Sequence, residues 1–207
     1  MSIIGLIHGR TVHSRRVHRL CTLISELIPP DSCVLDVGCG DGKISEGITH
    51  FRADVDVLGV DVRAREESRI PVTTFDGNTL PFESNSFDVV MFVDVLHHTS
   101  DPMVLLLEAS RVSRRLVLIK DHNDEGLLST LTLRIMDWIG NKPHGVALPF
   151  NYWKRTQWDA AFSAAGLTPR QYIEQLSLYP PVLDQVFGRG LHFLSALEVT
   201  ENALRHY

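Results

Sequence analysis

What this 207-residue chain lacks narrows its role before any motif is considered. Cysteine is scarce. Cys21, Cys33 and Cys39 form neither a C-x-x-C pair nor any other metal-ligand spacing, which excludes a disulfide-stapled scaffold and a zinc module built on paired cysteines. They read as free thiols of a protein in the reducing cytoplasm, and no metal is expected. Positive charge is not in excess either. Twenty Lys and Arg against 25 Asp and Glu leave a formal net charge of −5, so no overall field draws the chain to nucleic acid or to an anionic membrane, and no nucleic-acid partner is expected. No apolar run reaches the ~20 residues of a transmembrane helix, and the apolar stretch Met1–Ile7 is too short and lacks the basic leader of a signal peptide. Internal repeats and low-complexity linkers are absent. With 44% hydrophobic and 22% charged residues, the chain is expected to be one domain with a sizeable core. Its oligomeric state is left open.

Two motifs are missing as well. A dinucleotide fingerprint G-x-G-x-x-G starting at Gly38 would need glycine at position 43, where Lys43 stands. An N-P-P-Y type tetrapeptide occurs nowhere. What is present is Val34-Leu35-Asp36-Val37-Gly38-Cys39-Gly40-Asp41-Gly42, an apolar strand running into three glycines spaced two apart. Such a turn lets a ligand lie against bare backbone. A carboxylate at Asp36 would repel a pyrophosphate but suits a ligand carrying an ammonium or sulfonium charge. The expected ligand is therefore positively charged and free of phosphate.

Around this loop, strand and helix patterns alternate. Val17, Leu20, Cys21, Ile24, Leu27 and Ile28 recur at helical spacing until Pro29-Pro30. Strands are expected at 33–37, 56–61, 72–75, 87–93 and 116–120. Helices are expected after Gly42, after the N-cap Asp101 with Pro102, and along Leu127, Leu128, Leu131, Ile135 and Trp138. Thr156 with Asp159 resembles a capping box, and 170–177 and 192–199 read as two closing antiparallel strands. Arg63–Pro71 is barely long enough for a crossover helix, so a single turn or none is expected there. This alternation predicts a mainly parallel sheet with helices on both faces.

With Gly59-Val60-Asp61-Val62, Phe75-Asp76-Gly77, Leu80-Pro81-Phe82, Phe87-Asp88-Val89-Val90 and Val95-Leu96-His97-His98 following the glycine loop in order, the chain resembles the class I S-adenosylmethionine-dependent methyltransferases from residue 34 to about residue 98. It looks most like their broad small-molecule, quinone and lipid group. The resemblance implies a Rossmann-like three-layer α/β/α sandwich around a seven-stranded, mostly parallel sheet with an antiparallel last strand. Residues 1–30 would form an N-terminal helical segment, 31–122 the cofactor half, and 123–207 the acceptor half with a candidate lid at 141–155. It implies S-adenosylmethionine as cofactor and S-adenosylhomocysteine as product.

In an open parallel sheet the ligand lies beyond the carboxyl ends of the strands. Gly38, Cys39 and Gly40 would admit the methionine part of the cofactor, and Asp36 would face its ammonium. Asp61, with Val62, would take the ribose. Asp76, Gly77 and Asn78 would line the adenine, and Val93 and Asp94 would border the sulfonium. Asp36 and Asp76 also suit a second role as turn-capping carboxylates. For the chemistry, His97, His98 and His122 stand at the predicted mouth, where a neutral imidazole can take a proton from a phenol or enol. The alternative for His97 and His98 is packing at the start of a short helix, and for His122 an ordinary loop start. His144, Phe150, Tyr152 and Trp153 would supply an aromatic lid or plain core. Arg10, His13, Arg15, Arg16, His18 and Arg19 form a basic cluster, read as a solvated helix face or as a site for an anionic acceptor. The expected reaction is methylation of a small or lipid-like acceptor on oxygen or carbon. The rivals are a protein or RNA methyltransferase, and a partner subunit that binds the cofactor without turning it over.

Overall fold

The computed structural model describes residues 3–63, 65, 67–141, 151–188 and 190–200. Seven strands form one sheet: β1 (Cys33–Val37), β2 (Asp56–Asp61), β3 (Val72–Thr74), β4 (Phe87–Val93), β5 (Ser113–His122), β6 (Leu167–Ile173) and β7 (His192–Val199). Their order is β3-β2-β1-β4-β5-β7-β6. Every neighbouring pair from β3 to β5 is parallel, while β7 runs antiparallel to both β5 and β6. The chain thus winds outward from β1 in one direction, then restarts at β4 in the other, and a crevice opens between the carboxyl ends of β1 and β4.

The helices α1 (Ile3–Leu27), α2 (Lys43–Phe51), α3 (Pro102–Val112), α4 (Ser129–Asn141), α5 (Arg155–Ala164) and α6 (Pro181–Phe187) complete the fold, with a short 3₁₀ turn at Leu96–His98. Two layers follow from the period-two alternation of the strands. Val34, Val89, Met91, Leu116 and Leu118 point to one face, against Leu20, Ile24 and Ile48 of α1 and α2. Leu35, Val37, Val90, Phe92, Val117 and Ile119 point to the other, against Leu106, Ala109, Trp158 and Phe162 of α3 and α5. Central strands buried on both faces have to be apolar almost throughout, which is why β1 and β4 are apolar at every position except Asp36 and Asp88.

Several boundaries differ from expectation. β5 is ten residues long: Ser113 pairs with Phe87 of β4 at its start, and pairing with β7 carries it past Lys120 through Asp121 and His122. β6 starts at Leu167, immediately after Gly166, rather than at 170. The cap of α5 is Lys154, whose backbone N–H donates to Gln157 Oε1 at 3.0 Å, so Thr156 and Asp159 lie inside the helix and make no capping box. Asp101 does cap α3, accepting from Met103 N–H at 2.9 Å. The stripe Leu127, Leu128, Leu131 and Ile135 is exposed, and α4 buries Leu133 instead. Arg63–Pro71 holds no helix among its described residues; it folds back on the glycine loop, with Arg69 N–H donating to Asp41 C=O at 3.0 Å. The core of the proposed lid, 142–150 with His144 and Phe150, lies outside the described residues.

Trp158 joins the packing to the site. It is 1% exposed, packs on Phe162 and Phe193, and donates from Nε1 to the carbonyl of His122 at 3.0 Å. Urea denaturation should show Trp158→Phe, which loses mainly the hydrogen bond, to be less stable by about 1–2 kcal/mol. Trp158→Ala, which also opens a cavity, should lose about 3–5 kcal/mol.

Candidate cofactor and acceptor site

The glycine loop is held in shape by its neighbours. The N–H groups of Gly38 and Cys39 both donate to the carbonyl of Val60, at 2.7 and 3.2 Å, so the loop curls over the end of β2. Gly38 has φ 74°, and a Cβ there would come within 2.6 Å of the Val95 side chain. No side chain fits that position. Cys39 has a packing role: a Cβ on Gly59 would lie 2.6 Å from its Sγ, so the small thiol occupies space that β2 leaves bare.

Three of the expected carboxylates converge on this loop or its rim. Asp36 is buried at the end of β1 and accepts from the Ser45 hydroxyl at 2.6 Å. Burial pushes its carboxyl up to about 7, the serine bond opposes the shift, and the nearby Asp61 charge adds to it. Asp61 accepts from Gly40 N–H at 2.9 Å and from Arg63 N–H at 3.0 Å. An ionised carboxylate has about four lone-pair directions, so two remain for a diol. Asp76 is exposed, and its Oδ1 accepts from the N–H groups of Asn78 and Thr79 at 2.8 and 2.7 Å. The turn-capping role is therefore the one the structure displays for Asp76. Gly77, at φ 86°, lies against Val62, which is 64% exposed. Together they leave an apolar shelf beside Asp61, of the kind a flat ring covers.

The other half of the site is a buried polar cluster at the carboxyl ends of β4 and β5. Asp94 takes a positive φ of 58° and bonds with both of its oxygens, one to Arg16 of α1 and one to Lys120 of β5. Burial pushes the Asp94 carboxyl up, but the Lys120 and Arg16 charges prevail and hold it well below the usual carboxylate range. Lys120 is fully buried, which lowers its pKa in spite of Asp94. Behind them, Asp121 accepts from His97 Nδ1 at 2.6 Å and from the N–H groups of Leu96 and His122 at 3.0 and 2.8 Å. The His98 ring lies tilted against His97 with ring centres 4.0 Å apart, and Tyr152 stands 5.8 and 5.9 Å from the rings of His97 and His122. His192 enters because β7 is antiparallel and pairs it directly with His122. Burial, with the Lys120 and His122 charges, drives its pKa well down. Tyr179, whose hydroxyl lies 3.5 Å from His192 Nε2, also lines an open hollow of about 510 Å³ with Arg15, Gln175, Ser177 and Asp184.

The structure thus gathers Asp36, Gly38, Cys39, Gly40 and Asp61 at the loop, Val62, Asp76, Gly77 and Asn78 along the rim of β2 and β3, and Asp94, His97 and His122 in the polar cluster. Val93, half-buried, ends β4 just before Asp94. His192, Tyr179 and the Arg16 link were not foreseen. No local pattern marks His192 or Tyr179, whereas Lys120-Asp121-His122, three polar residues closing an apolar strand, was a visible signal.

Over residues 11–172 the chain matches the family described as the methyltransferase domain. The chain belongs to that family. Its cofactor is S-adenosylmethionine, a sulfonium that suits a carboxylate-lined crevice. The domain is 33% identical over 98 residues to the ubiquinone biosynthesis O-methyltransferase of Hahella chejuensis, covering 41% of this chain and 40% of that protein. It is 32% identical over 110 residues to the sarcosine/dimethylglycine N-methyltransferase of Aphanothece halophytica, covering 47% of this chain and 39% of that protein. The chain spans less than half the length of the curated relatives it matches. Among solved structures, a SAM-dependent methyltransferase from Thermotoga maritima superposes with a TM-score of 0.67 at 16% identity, covering 96% of each chain, a likeness of fold. Among the described residues of this methyltransferase domain, no helix is long and apolar enough to cross a membrane.

Asp36 gives a pH-dependent test. Unfolded, its carboxyl titrates near 3.9; folded and ligand-free, it holds its proton to about 7. Between these values the folded state binds the extra proton, so ligand-free stability falls as pH rises toward 7 and then levels off. Asp36→Asn removes this loss. The shift sets a ceiling of ~4 kcal/mol, and weakening of the serine bond reduces the expected gain to about 1–2 kcal/mol at pH 8, vanishing near pH 4 in urea titrations. The same variant should bind S-adenosylmethionine at least about tenfold more weakly by calorimetry, since one charge-assisted contact is lost.

Proposed function

We propose that this methyltransferase domain transfers the methyl group of S-adenosylmethionine to an oxygen or carbon of a small-molecule or lipid-like acceptor, releasing S-adenosylhomocysteine. The observation that carries the choice of acceptor atom is the double engagement of Asp94. Both of its oxygens are taken by cations, and Asp121 lies behind the histidines, so the two carboxylates of the cluster are engaged and the imidazoles are the groups beside an acceptor. Imidazoles can accept a proton from a hydroxyl or enol acceptor, whereas a protonated amine would call for a carboxylate that is not already paired. Transfer from a sulfonium is an in-line displacement, so the protein's contribution is alignment and exclusion of water. Gly38, Gly40, Asp36 and Asp61 hold the donor. His97, His98 and His122 are the side chains proposed to meet the acceptor, with Tyr152 beside them.

A small acceptor is favoured over RNA by the fate of the basic helix. Arg16 pairs with Asp94 and Arg19 donates to the carbonyl of Leu176 at 3.0 Å, so two of the cations that would have formed a nucleic-acid face tie α1 to the body of the fold. The names of the relatives point the same way, one acting in ubiquinone biosynthesis and one on sarcosine and dimethylglycine.

Cell extract incubated with the protein and methyl-labelled cofactor, then separated by size, should carry the label in its small-molecule or lipid fraction. Label confined to macromolecules would overturn the acceptor class. Cofactor binding without labelled product in any fraction would favour the non-catalytic subunit. In the same assay Asp61→Ala should weaken cofactor binding about 10- to 100-fold, the effect of removing one or two charge-assisted hydrogen bonds.

A further inference from the structure

We propose that His97, Asp121 and His122 form a site for one divalent transition-metal ion of the zinc class. Three nitrogens converge on Asp121 Oδ1: His97 Nδ1 at 2.6 Å, the backbone N of His122 at 2.8 Å and His122 Nδ1 at 3.3 Å. A carboxylate oxygen offers two lone pairs in its plane. With both rings protonated at Nδ1, three N–H groups press on that one oxygen. With His122 bare at Nδ1, a nitrogen lone pair faces the carboxylate instead. A divalent ion between the three side-chain atoms turns the conflict into three bonds.

The geometry fits such an ion. Four-coordinate zinc holds nitrogen and oxygen ligands at about 2.0–2.2 Å, which sets neighbouring ligand atoms about 3.3–3.6 Å apart. The two Nδ1 atoms are 3.4 Å apart, and His122 Nδ1 is 3.3 Å from Oδ1. The third edge, 2.6 Å, has to open by only ~0.7 Å to reach that spacing. All three residues are buried, and an outer layer is in place: Asp121 Oδ2 accepts from Leu96 N–H, and Trp158 donates to the carbonyl of His122. Two imidazoles and one carboxylate are borderline ligands, which select zinc and its neighbours over magnesium or calcium.

A second group, Asp94, His122 and His192, brings its ligand atoms equally close. It already has its cation. The Lys120 ammonium bonds Asp94 and lies 3.3 Å from His192 Nδ1. Lysine thus fills one of two adjoining cation positions and leaves the other to an ion. Any service of that ion to the reaction, as a Lewis acid on an acceptor oxygen, rests on the methyl-transfer reading; its binding does not.

The test uses the whole chain, stripped with a chelator and dialysed. Calorimetry should show one Zn²⁺ per chain, and Co²⁺ should give the visible absorption of a four-coordinate nitrogen–oxygen site. His97→Ala and Asp121→Asn should weaken Zn²⁺ binding by about 100-fold or more, while His192→Gln should change it by less than about threefold. Circular dichroism checks the fold of each variant, and if a variant fails to fold, the Co²⁺ spectrum of the parent protein decides. A folded parent that takes up neither ion overturns the proposal, as does equal loss of binding in His192→Gln and Asp121→Asn. Cofactor calorimetry on the same samples separates the two readings. Cofactor binding without metal uptake removes the ion alone, whereas metal uptake without cofactor binding counts against the methyltransferase reading alone.

Discussion

The Lys120 side chain, with no exposure to water, stands at the end of β5, and the polar cluster at the carboxyl ends of β4 and β5 is arranged around it. Burial lowers the pKa of Lys120, and Asp94, which meets it across the gap between β5 and β4, opposes that shift. Asp94 is in turn held by Arg16, which reaches in from α1. One carboxylate therefore joins the sheet, the switch point and the helix beside it. Removing one partner of a buried ion pair leaves an uncompensated charge, which is far more costly than the pair itself is stabilising. The positive φ of Asp94 belongs to the same arrangement: it turns the chain out of β4 and into the 3₁₀ turn that carries His97 and His98.

The donor half depends on a different constraint, the absence of side chains. Gly38 leaves room for Val95, and Gly59 leaves room for Cys39, so the loop, β2 and the end of β4 approach more closely than any residue with a Cβ allows. Asp61 then fixes the loop by accepting from Gly40 while keeping oxygen directions for a ligand. Asp36, raised toward neutrality by its own burial, is held in a state that a cationic ligand relieves. A site that is uncomfortable when empty binds well because the ligand supplies the missing charge.

Much of this was legible in the chain. Strands 33–37, 56–61 and 87–93 were readable to the residue, since strands buried on both faces must be apolar runs broken by polar ends. Asp101-Pro102 announced α3 through backbone chemistry that needs no partner. The misreadings came where a distant element decided the outcome. β5 is longer than its apolar stretch because β7 pairs with its polar end. Leu131 and Ile135 of α4 face outward, as do Leu127 and Leu128 just before it, while Leu133 is buried. The cap of α5 is a backbone group served by Gln157, which a search for Ser, Thr, Asp or Asn misses.

The order of apolar runs, glycines and acidic residues determined by itself the layer architecture, the family and the carboxylates around the donor, because each follows from short-range rules of twist, period and steric freedom. Whether those carboxylates are engaged or available was settled only when the chain folded. Asp76 closes its own turn, Asp94 is claimed by two cations 78 and 26 residues away, and His192 lies opposite His122 through antiparallel pairing. Charge acts through space in a low-dielectric interior rather than along the chain, so this polar cluster is a property of the folded sheet.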